Sequence, residues 1–131
     1  MAGNGKPKLS VFTGREAKLN RAIFKVLAKE GILTVYEICK KVRTHKSLKY
    51  TKYSVINRRV RNLVDLEYIE TAGERETQAG FKAQQYQLTQ RAYLAIAFEA
   101  LDFNTLIQSA DETELTILLV DILSILKNYN N

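Results

Sequence analysis

The stretch KYTKYSVINRRVRNLVDLEYIE, residues 49–70, holds the transition on which the fold turns. Ile56, Val60 and Leu63 fall at i, i+4 and i+7, the spacing of one buried helical stripe. At about 100° per residue, Ser54, Arg58, Arg61 and Asn62 point away from that stripe, with Asn57 and Arg59 on its flanks. The pattern predicts a helix from about Thr51 or Lys52 to Leu66. Beyond Leu66 the period changes. YIETA, 68–72, alternates and reads as a strand; AGERETQAG, 72–80, with Gly73 and Gly80, reads as a hairpin loop. FKAQQYQL, 81–88, reads as the return strand, with Tyr86 and Leu88 facing inward together. TQRAYLAIAFEAL, 89–101, becomes helical again, with Thr89 a good N-cap.

Upstream, Thr13 and Glu16 stand in capping-box spacing, which predicts a first helix starting near Thr13. Leu19, Ile23, Val26 and Leu27 supply its apolar face, and Gly31 is placed to stop it. ILT, 32–34, is long enough for only a minor strand. Thr34 and Glu37 form a second capping box, opening a helix to about Arg43 that buries Val35, Ile38, Cys39 and Val42. Lys40, Lys41 and Arg43 lie on its other face. THKSLKY, 44–50, is polar and basic and reads as the turn into the third helix.

The net charge of +6 is unevenly placed. Residues 1–64 hold sixteen Lys/Arg against three Asp/Glu, and residues 65–131 hold four against eleven. Between Ile38 and Val64 there are nine basic residues and no acidic one. A solvated face usually mixes signs. A one-signed block within a folding segment is the electrostatic footprint of a nucleic-acid surface.

The last segment, roughly Asp111–Lys127, opens with DETE, which suits the positive end of a helix dipole. Leu115, Leu118, Leu119, Ile122, Ile125 and Leu126 form one apolar stripe, widened by Ile117, Val120 and Leu123. A helix apolar nearly all round must be covered, and a second subunit is the economical cover. The run LTILLVDILSIL, 115–126, contains an aspartate and is twelve residues long, whereas a membrane span needs about 20. The expectation is a soluble, cytoplasmic protein with no membrane segment. MAGNGKPK at the start lacks the apolar core of a secretory signal. A single cysteine excludes an internal disulfide framework.

Two patterns carry a family likeness. VRNLVDLEYIE, 60–70, and YQLTQRAYLAI, 86–96, are similar to the two ends of the wing in winged helix-turn-helix proteins, and the order helix, helix, helix, strand, loop, strand, helix matches over about 15–97. The chain resembles the prokaryotic regulators of the MarR, PadR and ArsR type. It departs at Glu67 and Ala92, where that family often has glycine. The implied fold is mainly α (α+β): a three-helix core, a two-stranded β wing and a C-terminal dimerisation helix. Residues 1–14 would be a flexible tail, 15–97 the reader and 98–131 the dimerisation segment.

The resemblance implies binding to double-stranded DNA, with the third helix in the major groove and the wing along the adjacent backbone or minor groove. Matching positions are Lys52, Ser54, Asn57, Arg58, Arg61 and Asn62 on the helix, and Arg75 at the wing tip. The chemistry agrees, because Arg can pair with guanine and Asn with adenine in the major groove. Lys41, Arg43, Lys46 and Lys49, with Lys40, suit phosphate contacts that position without reading sequence. Glu70, Glu74 and Glu76 around Arg75 weaken the wing's grip.

Other chemistry is thin. Cys39 reads as a core cysteine rather than a redox sensor, and His45 as a surface turn residue. No metal-ligand cluster, cofactor motif, effector pocket or catalytic constellation stands out. The leading expectation is a homodimeric, sequence-specific transcriptional regulator. The rivals are a winged helix serving as a protein–protein module and a low-specificity architectural DNA binder.

Overall fold

The computed structural model describes residues 9–130. It divides into two compact units, residues 1–99 and 100–131. In the first, helix α1 spans Ala17–Glu30, strand β1 Leu33–Thr34, helix α2 Val35–Val42 and helix α3 Tyr53–Asp65. Strands β2 (Ile69–Glu76) and β3 (Lys82–Leu88) and helix α4 (Gln90–Ala100) follow. The second unit holds helices α5 (Phe103–Ser109) and α6 (Glu112–Asn130).

The three apolar stripes converge on one core. Ile23, Phe24 and Leu27 of α1, Ile38 and Val42 of α2, and Ile56, Val60 and Leu63 of α3 are all fully buried. Each such side chain contributes about 1.5–3 kcal/mol of transfer free energy, so the stripe on α3 anchors that helix and fixes which of its faces looks outward. The core begins earlier than the helical pattern suggests. Val11 and Phe12, in a 3-10 turn over Ser10–Phe12, are buried. Phe12 meets Phe24 edge-on at 5.4 Å. The buried Asn20 amide donates to the Val11 carbonyl at 2.8 Å. The part of the expected flexible tail at 1–8 lies outside the described residues.

The Thr13–Glu16 capping box does not form. The Thr13 hydroxyl donates instead to the Ser10 carbonyl at 3.0 Å, and α1 starts at Ala17 without a side-chain cap. Gly14, at φ +76°, cannot be the first residue of a helix, so α1 begins only at Ala17, with Glu16 in the N-cap position, and Thr13 lies three residues too early to cap it. The second box does form: the Glu37 N–H donates to Thr34 Oγ1, and the Thr34 N–H donates to Glu37 Oε1 at 3.0 Å. Gly31, at φ +92°, ends α1 in a backbone conformation open to glycine and strained for other residues.

The sheet runs β1–β3–β2, antiparallel throughout. Leu33 pairs with Tyr86 and Ile69 with Leu88, so the base of the wing is tied to the core. The hairpin is longer than the sequence suggests. Residues 73–76, expected in the loop, pair with 82–85. Only 77–81 turn. Residues 73–76 are all exposed, and of the residues that pair with them only Ala83 and Gln85 are half-buried, so no hydrophobic alternation marks this part as strand. A register shift between Thr71 and Gly73 leaves Ala72 unpaired, and Gly73 sits at φ +128° beside it.

The joint between α3 and β2 is a Schellman closure: the Tyr68 N–H reaches the Leu63 carbonyl and the Glu67 N–H the Val64 carbonyl, both at 2.9 Å. It requires a left-handed residue, and Glu67 supplies it at φ +66°, at a cost of about 1–2 kcal/mol relative to glycine. Thr89 Oγ1 donates to the Glu67 carbonyl at 2.7 Å and steadies the strained residue. Ala92, at the other departure from the family pattern, is fully buried.

In the second unit, Asp102 caps α5 by accepting from the Asn104 and Thr105 N–H groups. The sequence pattern had given no element here, because the segment lacks a recurring apolar face. Asp111 caps α6 in a reciprocal box with Glu114. Among the described residues, no helix is long and apolar enough to cross a membrane.

Candidate nucleic-acid interface

The burial of Ile56, Val60 and Leu63 places Ser54, Arg58 and Arg61 on the solvent side of α3, all exposed. Neither Arg58 nor Arg61 enters an ion pair or hydrogen bond with another described residue, so both guanidinium groups keep their full set of donors. Arg59, on the flank, is spent structurally. Its Nε lies 3.5 Å from Glu16 Oε2, and its Nη1 donates to Asn62 Oδ1 at 2.8 Å. That bond engages Asn62 Oδ1, and Asn62 is half-buried on the flank of the helix. Asn57 is likewise half-buried.

The basic residues before α3 divide in the same way. Lys41 is exposed on α2, Lys46 and Lys49 on the 3-10 turn and its end, and Lys52 at the N-cap of α3. Arg43 is exposed too, but its Nε donates to the Thr51 carbonyl at 2.8 Å. It therefore staples the turn to the start of α3 while the rest of its guanidinium faces outward.

Arg75 is not at the wing tip. It pairs with Ala83 within the β2–β3 ladder, because the hairpin closes only at 77–81. Its Nη1 lies 2.6 Å from Glu37 Oε2, in an ion pair that ties the wing to the start of α2. Glu37 is held below the usual glutamate range, chiefly by the Thr34 backbone N–H; burial opposes this, and the Arg75 guanidinium and the Thr34 hydroxyl add to the lowering. The tip itself carries no cation. Lys82, the first residue of β3, is the wing's other basic residue, and sequence reasoning passed over it.

Three exposed aromatics were also missed: Tyr36, Tyr50 and Tyr53 are 62%, 86% and 46% exposed. Lys40 Nζ and Lys49 Nζ each lie 5.5 Å from the ring centre of Tyr36 and Tyr50 respectively. The only signal available beforehand was their interleaving with lysines. A tyrosine serves core and surface equally well, so its exposure is not readable from type alone.

On α6, Leu115 is partly buried, whereas Leu118, Leu119, Ile122, Ile125 and Leu126 are exposed within the single chain, at 39–65%.

No protein-family model matches this chain, and no curated protein matches it in sequence. Solved structures do match. YodB from B. subtilis, in its diamide-treated form, superposes with a TM-score of 0.53 at 18% identity, covering 78% of this chain and 88% of that one. Bacillus subtilis PadR, in complex with operator DNA, superposes with a TM-score of 0.52 at 19% identity, covering 89% of this chain and 71% of that one. The chain has the winged helix-turn-helix fold. At such identity the likeness is one of architecture: α3 is the third helix of that fold, and β2–β3 is its wing.

Proposed function

We propose that this winged-helix chain is a homodimeric transcriptional regulator that binds double-stranded DNA sequence-specifically. In this reading α3 enters the major groove, with Arg58 and Arg61 at base edges and Ser54 and Asn57 beside them. Lys41, Arg43, Lys46, Lys49 and Lys52 meet phosphates. The wing lies along the neighbouring backbone through Lys82, with Arg75 acting as the strut that sets its angle against α2.

The observation that carries the reading is the outward face of α3. It presents two uncommitted arginines on a helix whose opposite face is fully buried, in a fold shared with a protein solved on operator DNA. A bidentate Arg–guanine contact discriminates against other bases by about 1–3 kcal/mol, which is enough to read sequence when repeated over two half-sites. The homodimer is supported by α6, whose apolar side chains are left in solvent by one chain alone. A two-fold dimer would set two α3 helices about one helical turn apart.

The test is selection from a random duplex pool at physiological salt, followed by sequencing. The expected result is an enriched inverted repeat. DNA retained without any motif would replace this reading with a low-specificity binder. No retention would leave a winged helix that serves protein partners.

A further inference from the structure

A second cationic surface lies away from the outward face of α3. The exposed side of α1 carries Lys18, Lys25 and Lys29, spaced seven and four residues apart on one helical stripe. Where this stripe faces the α2–α3 turn, two hollows adjoin, of about 210 and 370 Å³, both walled by Lys25 and His45. Lys18 completes the first, and Lys29 and Lys41 complete the second. Ala22, Val26 and Leu48 supply apolar floor for the lysine stems. No residue of α3 lines either hollow.

The charge here is unbalanced. Glu30 is the single carboxylate lining the hollows. Arg21, also at the edge, is already held by Glu99 at 2.7 Å and by the Phe12 carbonyl. None of Lys18, Lys25, Lys29 or Lys41 forms an ion pair with another described residue. Like charges four apart on a helix repel, and a helix face that serves solubility alone gains from alternating signs. A concave site with several unneutralised ammonium groups, plus the Ser47 hydroxyl and the His45 ring as donors, fits a run of phosphate oxygens.

We propose that this α1–turn hollow is a second phosphate-backbone site, gripping DNA outside the stretch read by α3. The inference rests on the DNA-binding reading above. Lys41 lies on both surfaces and makes the basic path continuous from the turn to α1. The phosphodiester run could belong to the flank of the same duplex or to a second duplex, and the chemistry is shared.

The experiment compares the full chain with the K18A/K25A/K29A triple variant on two duplexes: one holding the selected site alone, and one extended on each side by about two helical turns of 10–10.5 base pairs. All three positions are exposed, and an unchanged thermal melt verifies folding. If the flank is the source, the wild type binds the long duplex more tightly and with a steeper dependence of log K on log salt. The triple variant loses that gain, its slope falling by about 0.9 for each phosphate contact removed, while the short duplex binds equally to both proteins. If a second duplex is the source, excess short duplex added to the wild-type complex yields a species with an additional duplex by native mass measurement, absent with the variant. A triple variant that matches the wild type in both arms overturns the hollow and leaves the α3 reading standing. Failure of the wild type to bind any duplex removes both.

Discussion

Arg58 and Arg75 bring the same guanidinium to different surroundings, and the surroundings decide what each can do. Arg58 projects from α3 with no ion-pair or hydrogen-bond partner among the described residues. Arg75 is held by Glu37, in a half-exposed pair of the kind that contributes only about 0–1 kcal/mol but restricts the wing's angle. Arg58→Ala is therefore expected to relax preference at one base position, costing about 1–3 kcal/mol on the best site and little on unrelated DNA. Lys41→Ala should weaken all sequences alike and lower the salt slope by about 0.9. Competition binding against single-base variants of the selected site separates the two patterns. A uniform loss for Arg58→Ala would remove it as a base reader. The contrast between these arginines was half legible. The 3.6-residue period assigned Arg58 to the outer face of α3, but no local pattern told that Arg75 would meet a carboxylate 38 residues away.

At the scale of the element, the α2 N-terminus and the wing are joined through one carboxylate. Glu37 closes the capping box with Thr34 and receives Arg75 from β2. Because its folded pKa is depressed, its contribution to stability is complete above the ordinary glutamate value of 4.5 and is lost as pH falls through the lower folded value. Relative to Glu37→Gln, the wild type should hold a higher melting temperature at neutral pH, and the gap should close as the solution is taken below about pH 4.5. A gap independent of pH would show that the ionised carboxylate is not what stabilises this corner. The capping box was visible beforehand, since Thr34 and Glu37 are neighbours whose bonds span three residues. The box at Thr13 and Glu16 had the same spacing and failed, because the turn that packs Phe12 passes through Gly14 at φ +76° and the helix starts only after Glu16. Spacing states which bonds are available; packing selects among them.

For the whole molecule, the proposed dimer turns on α6, whose leucines and isoleucines are exposed in the single chain and form an apolar patch of the kind that marks an interaction surface. A double change, Leu119→Asp with Ile122→Asp, is expected to weaken self-association by roughly 30-fold or more, the equivalent of losing an interface hot spot of about 2 kcal/mol. Sedimentation velocity would then report a monomer, while the melt of the reader unit stays in place. A particle of unchanged mass would assign α6 another partner.

Periodicity, capping spacing and charge distribution determined a great deal without help. They set the three-helix order, the stripes of α2 and α3, the strand–loop–strand wing and the acid-free basic block, because each depends on residues a few positions apart. The tertiary structure alone decided the rest. It drew Val11 and Phe12 into the core, extended the wing to 77–81, drew Arg75 to Glu37 and Asn62 to Arg59, and assembled the lysines of α1 with the α2–α3 turn. The physical reason is common to all of these. Each is a contact between residues whose local preferences allow several partners, and only packing the stripes of three helices into one core determines which partner is within reach.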